Sequence, residues 1–219
     1  MSGSKLCADF IERLDARIFD DLEPTIDRVR CYFLTFGGRR FDEFGRNDEG
    51  FDVNPNKFTN DDARAVISLS MNRFGKRRQE WVIKDDKGRF ASLLEKIPID
   101  VSIFESSAAV HIKDGSPADD LWTDLEKGDG IGWVTANKLI AHKRPLLILP
   151  YDNVWKSATK PPKGKLWSCP HQALAIDPQS VDRRERLELI RSRAVASPEK
   201  VSLLRTLDVI VWMKGADLH

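Results

Sequence analysis

Cysteine is scarce in this 219-residue chain, which carries three, Cys7, Cys31 and Cys169, far apart and without a CxxC pair. Neither a zinc site nor a four-thiolate cluster can be built from cysteine alone, and three reduced thiols are expected. Long apolar runs are missing as well. None approaches the roughly 20 residues of a membrane span, which excludes a transmembrane helical protein. The first fifteen residues carry charges where a secretory apolar core would lie, so the expectation is no signal peptide, no membrane partner and a cytoplasmic location. There is no excess of one charge: 35 basic against 34 acidic residues leave a net +1, short of the basic surplus of many nucleic-acid binders. No HExxH occurs, and His111, His142, His171 and His219 lack metal-ligand spacing, which argues against a metalloenzyme. A phosphate-cradling Gly-x-x-x-x-Gly-Lys-Ser/Thr loop and a Gly-x-Ser-x-Gly elbow are also absent, lowering the case for a nucleotide hydrolase or an α/β hydrolase.

What is present is an ordinary globular composition, 41% apolar and 32% charged, at a length suited to one domain or two closely packed lobes. The charge is unevenly spread. From Lys138 to Lys165 seven basic residues face one acid, Asp152, whereas Asp42 to Asp62 holds seven acids against Arg46 and Lys57. Such asymmetry fits one face that meets a polyanion and another that does not.

Readable periodicity is mostly helical. Cys7, Phe10, Ile11, Leu14 and Ile18 form one amphipathic stripe; Ala63, Val66, Ile67, Ser70 and Met71 form another after a start signal at Thr59-Asn60-Asp61-Asp62. Phe90, Leu93, Leu94 and Ile97 make a third, ended by Pro98. Ser116-Pro117 and Ser197-Pro198 each predict a helix start. Arg30 to Phe36 reads either as a helix end or as a short strand, and Gly37-Gly38 as a turn. A Pro-, Lys- and Gly-rich stretch from Ala158 to Asp177 predicts a long surface loop before a helix near Val181 to Arg193. Leu203, Leu207, Ile210 and Val211 form a last core stripe.

The chemically informative segment is Leu121 to Trp155. Gly128-Asp129-Gly130-Ile131-Gly132 is too glycine-rich for a helix interior, yet a capped helix precedes it and Trp133 to Ala141 continues as another, so helix, tight turn, helix follows. Such a turn offers free backbone N–H groups and a positive helix end to a phosphate oxygen, with Ile131 tucked inward to hold it.

Gly130-Ile131-Gly132-x-x-Thr135-Ala136-x-x-Leu139, followed by Pro150-Tyr151-Asp152-x-Val154, resembles the helix-hairpin-helix DNA glycosylases. The likeness covers about 35 residues. It implies a mainly α, two-lobed fold with a DNA cleft between the lobes and a helix-hairpin-helix at 117–142. One lobe would span about 61–159 and the other 1–60 plus 160–219, within a single glycosylase-like domain over 1–219. It further implies that Asp152 is the catalytic carboxylate and that double-stranded DNA with a flipped base is the partner, with no obligate protein partner. The family's bifunctional members carry a lysine two residues after the second hairpin glycine. Here that position is Val134, 18 positions before Asp152 as in the family's usual spacing, which implies a monofunctional enzyme without lyase activity. No cofactor is implied; the one ion the likeness allows is a monovalent cation at the hairpin. The chain as a whole also resembles uncharacterised bacterial proteins, common in actinobacteria, that share its Gly-Arg-Arg-Phe and Gly-Trp-Val-Thr-Ala elements.

Breaking an N-glycosidic bond puts positive charge on the sugar, so a carboxylate beside C1′ can stabilise it and activate water. The base must also leave the stack for a pocket. Gly130, Ile131, Gly132, Trp133, Thr135, Lys138, Lys143, Arg144 and Lys156 are the candidate DNA-binding residues. Tyr32, Tyr151, Trp155, Arg39 and Arg40 are the candidate base pocket, the two arginines because Gly37-Gly38-Arg39-Arg40-Phe41 could present donors to a phosphate or an unusual base. Asp152 reads equally as an N-cap of the helix at Asn153, a role that can coexist with catalysis. As a cap alone it would leave a non-catalytic DNA-binding module, the alternative reading. A third reading, an intracellular protein-interaction domain, predicts no salt-dependent DNA affinity. The missing iron–sulfur cysteines point away from housekeeping repair and toward an unusual substrate. A hypermodified, sugar-bearing phage cytosine, removed in anti-phage defence, is one such substrate.

Overall fold

The computed structural model describes residues 6–70 and 74–216. The fold is mainly α: among the described residues there is no β-strand, only an isolated antiparallel bridge between Arg46 and Asp52. None of their helices is long and apolar enough to cross a membrane.

Helix α1 (Ala8–Ile18) buries the stripe Phe10, Leu14 and Ile18. Helix α2 (Leu22–Thr35) buries Thr25, Ile26, Val29 and Tyr32, a 3.6-residue period that settles Arg30–Thr35 as helix; only Phe36 turns extended, before a 3₁₀ turn at Gly37–Asp42. Helix α3 (Asn60–Ser68) opens on a capping box in which Thr59 and Asp62 bond each other's backbone N–H groups. Met71, the last member of its predicted stripe, lies outside the described residues. Helices α4 (Lys76–Lys84), α5 (Arg89–Leu94) and α6 (Ala109–Ile112) follow, with α5 ending ahead of Pro98. Ser116 accepts a hydrogen bond from the Asp119 N–H and Pro117 begins α7 (Pro117–Glu126), as its start signal predicts. Helix α8 (Trp133–Lys143) completes the hairpin, and α9 (Asn153–Thr159) starts at Asp152.

The stretch from Ala158 to Asp177 is only partly loop, since it holds α10 (Ser168–His171) and a π-helical turn at Gln172–Ile176. Helix α11 is Ser180–Ala194. Ser197-Pro198 opens only a 3₁₀ turn, Pro198–Lys200. The long C-terminal helix α12 (Leu203–Ala216) starts later, where the Ser202 hydroxyl accepts a hydrogen bond from the Arg205 N–H.

Buried apolar side chains gather in two clusters. The first joins α1, α2, α11 and α12 with Leu149, Tyr151, Trp155, Cys169 and Leu174. The second runs from Phe41 and Phe58 through α3, α5, α7 and α8 to Ile148, with Trp167 added. Phe41 and Phe58, before residue 61, belong to the second cluster, whereas Tyr151 and Trp155 join the first. Cys7 and Cys169 are joined by a disulfide, which corrects the expectation of three reduced thiols; Cys31 alone is free, and exposed. The two partners are 162 residues apart, with Cα atoms 5.4 Å from each other, a pairing that no local spacing announces.

Candidate active site

Glycine is required twice around the site. Gly130 has φ +72°, and a Cβ there would lie 2.1 Å from the Arg78 guanidinium, whose Nε donates to the Asp129 carbonyl at 3.0 Å. Ile131 is buried, as a turn anchored to the core requires. Gly132 caps α8 without a side chain, and the first helical bond is Ala136 N–H to Gly132 O at 3.1 Å. The N–H groups of Trp133, Val134 and Thr135 therefore precede the intrahelical ladder.

Asn137 links this helix to the loop that carries Asp152. Its Nδ2 donates to the Leu149 carbonyl at 2.7 Å and its Oδ1 accepts from Trp167 Nε1 at 2.9 Å, all of it buried. The loop is thereby tied down three residues before the aspartate. Asp152 Oδ1 accepts from Val154 N–H at 2.9 Å and Trp155 N–H at 3.2 Å, and its Oδ2 accepts from Lys138 Nζ at 3.2 Å. It is an N-cap and an ion-pair partner at once, and its side chain keeps 16% exposure.

That exposure opens into a cavity of about 330 Å³. Val134, Lys138 and Asp152 form one side, with Pro150, Asn153 and Val154; Tyr32, Phe36 and Trp212 supply aromatic walls; Gly37, Gly38 and the end of α3 close it; Arg205 and Asp208 face in from α12. Tyr32 and Phe36 stack with centroids 5.5 Å apart, and Trp212 meets both edge-on. The volume lies in the range of small-molecule pockets.

Arg205 organises this wall. Buried, it donates from Nε to Asp42 Oδ2 at 3.0 Å, from Nη2 to Tyr32 Oη at 2.7 Å and to the Gly38 carbonyl at 2.8 Å, and from Nη1 to Asp208 Oδ2. A Cβ at Gly38 would lie 2.1 Å from Tyr32 Oη, so the second glycine of Gly37-Gly38 is there to admit Tyr32 and Arg205. Asp208 also accepts from Trp155 Nε1 at 2.9 Å. Burial, and then the negative charge of Asp152, push the Asp208 carboxyl up to about 6 against the opposing pull of Arg205 and Lys138. Burial likewise raises Asp42 and the Tyr32 hydroxyl.

Among the residues expected to read a base, only Tyr32 lines this cavity. Tyr151 and Trp155 are fully buried; the Tyr151 hydroxyl bonds Thr159 Oγ1 at 3.0 Å, and burial pushes its ionisation upward. Arg39 and Arg40 are absent from the lining: Arg40 is exposed and Arg39 half-exposed. Sequence reasoning missed Arg205, Asp208, Phe36 and Trp212. A signal existed, since Arg205 and Asp208 interrupt an apolar stripe three residues apart, on one helix face.

The basic rim is corrected more strongly. Lys138, Lys143 and Arg144 are 3%, 2% and 1% exposed, so none of them is presented at the surface. Lys143 Nζ sits 3.1 Å from Asp52 Oδ2 and 2.8 Å from Asp62 Oδ2. Arg144 donates to Ile97 O at 2.8 Å, to Pro55 O at 2.7 Å and to Asn56 Oδ1 at 2.8 Å; burial pushes its pKa down to about 10. Asp52 and Asp62 of the acidic stretch thus meet Lys143 of the basic one inside the molecule, while Lys156, Lys160 and Lys163 stay exposed. Asp52, Asp62 and His142 offer ligand atoms within 4.8 Å of one another, the spacing of a cation site, but the Lys143 ammonium already bridges the two carboxylates and His142 Nδ1 pairs with Asp62 at 2.7 Å. Thr135 is buried too, while Trp133 and the exposed Lys156 meet as a cation–π pair at 5.6 Å, away from the Asp152 cavity.

Fold and cavity together define a mainly α-helical protein with a carboxylate- and lysine-bearing pocket. The chain belongs to a family of unknown function, DUF6308, whose model matches residues 25–215. No curated protein and no solved structure shows a significant match.

Proposed function

We propose that this protein is a monofunctional DNA glycosylase of the helix-hairpin-helix type, with Asp152 as its catalytic carboxylate. The observation that carries the reading is the meeting of Asp152, Val134 and Lys138 in one aromatic-walled cavity of about 330 Å³, directly after a glycine hairpin. In this reading the two apolar clusters are the cores of two lobes, and the cavity receives the flipped base at the cleft between them.

The chemistry assigned to Asp152 is that of a fixed anion. Two backbone N–H groups hold Oδ1 and the Lys138 ammonium holds Oδ2, so the carboxylate is oriented before substrate arrives. As the C1′–N bond breaks, the bonding electrons leave with the base and Asp152 stabilises the cationic sugar. Water then adds at C1′ and gives its proton to the carboxylate. Val134 offers no amine for a Schiff base, so the product is an abasic site in an uncut strand. The substrate in this reading is a modified or damaged base, with glucosylated phage cytosine among the candidates.

The reading is tested by mass-spectrometric detection of free base released from normal, alkylated, deaminated and glucosylated DNAs, with Asp152→Asn alongside. Release that disappears in the variant supports the enzyme. The capping role of Asp152 favours a second reading, a non-catalytic DNA-binding module, for which wild type and variant bind DNA alike and release nothing.

A further inference from the structure

A second cavity, of about 540 Å³, shares no lining residue with the first. Three of the chain's six tryptophans border it: Trp122 from α7, Trp133 from α8 and Trp167 from the segment before α10. Trp122 Nε1 donates to the Trp133 carbonyl at 3.2 Å and Trp167 Nε1 to Asn137 at 2.9 Å, so both indole N–H groups are already used within the protein. What these two rings have left for an occupant is carbon surface. The Pro161-Pro162 turn completes an apolar wall.

Around this wall stand Lys113, Lys156, Lys163 and Lys165. None has a carboxylate partner among the described residues, whereas Lys138, the lysine that lines the first cavity, is paired with Asp152. Asp114 and Asp119 also line the cavity, and Asp119 already accepts from the Gly115 N–H at 2.9 Å. An aromatic cage by itself would suit a cation. Four lysines against two aspartates decide for an anion with a flat apolar body.

We propose that this cavity is a nucleotide-binding site, in which a heteroaromatic base lies against Trp122, Trp133 and Trp167 and its phosphate is met by Lys156, Lys163 and Lys165. Base stacking on indole rings and lysine contacts to phosphate supply complementary halves of the recognition. The nucleotide is either free or one unit of an unpaired strand. The assignment does not depend on catalysis at Asp152.

The test is quenching of intrinsic tryptophan fluorescence by nucleoside monophosphates, the matching nucleosides, inorganic phosphate and a five-nucleotide single strand. Saturable quenching is expected from the monophosphates and the oligomer, with nucleoside and phosphate each at least tenfold weaker. A strand as the natural occupant appears as at least tenfold tighter oligomer binding; equal affinities indicate a free nucleotide. Lys163→Ala/Lys165→Ala, at one exposed and one half-buried position, should weaken binding at least tenfold and lower the oligomer's salt slope by about 1.4. Trp122→Phe should alter the quenching amplitude, and Asp152→Asn should leave the quenching curve unaltered, since Asp152 does not line this cavity. Absence of saturable quenching, or unchanged binding in the double lysine variant, overturns the proposal. So does quenching lost in Asp152→Asn but kept in the lysine variant, which assigns it to the other cavity.

Discussion

Lys138 Nζ lies 3.2 Å from Asp152 Oδ2, across a step of 14 residues that spans the end of α8 and the whole connecting loop. Lys138 sits one helical turn after Val134, on the face of α8 that lines the cavity, so this ion pair joins helix and loop at the point where chemistry is proposed. It makes the carboxylate both oriented and charge-compensated.

Asp152→Asn separates the two roles of that residue. Asparagine caps a helix as well as aspartate does, but it leaves the buried Lys138 ammonium facing a neutral amide, so stability in chemical denaturation should fall by about 3 kcal/mol. Base release should fall at least about 100-fold. Equal release by the two proteins would remove Asp152 from the mechanism.

Asp208 gives the protein a pH dependence of a particular sign. Its carboxyl titrates near 6 in the folded state, above the ordinary aspartate value of 3.8, so the native state holds that proton more tightly than the unfolded chain. The stability it contributes is present below about pH 4 and is lost as pH rises to 6, on the order of 3 kcal/mol. Carboxylates held low, Asp62, Asp124 and Asp177 among them, act in the opposite direction as pH falls. Denaturant titrations of wild type and Asp208→Asn isolate the one group: the variant should gain on wild type by about that amount between pH 4 and pH 7. A constant difference across this range would contradict the assignment.

Lys143→Met should be costly. It leaves Asp62, 1% exposed, and Asp52 facing each other without the ammonium that bridges them, a loss of about 3–5 kcal/mol. Lys156→Met, at an exposed position, should change stability by no more than about 0.5 kcal/mol. Chemical denaturation of the two variants reads the contrast directly.

Thiol counting checks the cystine. The folded protein should react with one equivalent of a thiol reagent, at Cys31, and with three after reduction and unfolding. Cys7→Ser should lower stability by about 2–5 kcal/mol.

Local signals in the sequence carried over well. Ser116-Pro117, the Thr59 to Asp62 cluster, the α1 stripe and the Asp152 cap each depend on residues within four positions of one another, and each forms as the spacing requires. What was illegible is pairing over distance. Lys143 with Asp52, Arg144 with Pro55 and Asn56, Arg205 with Asp42 and Cys7 with Cys169 join residues about 90 to 160 positions apart, so individual charges such as Lys143 and Arg144 read as surface when they are buried partners. The site was half visible for the same reason: Asp152, Val134 and Lys138 share one segment, while the α12 residues that complete the cavity lie more than fifty positions on.

The Cys7–Cys169 bond closes a ring of chain that contains the hairpin, the Asp152 loop and the Pro161-Pro162 turn. A protease that cuts once anywhere inside this ring produces two pieces that stay covalently joined. A nick in the exposed lysine-rich turn would therefore escape detection by size until the sample is reduced, and the nicked protein would keep both cavities tethered to the same body.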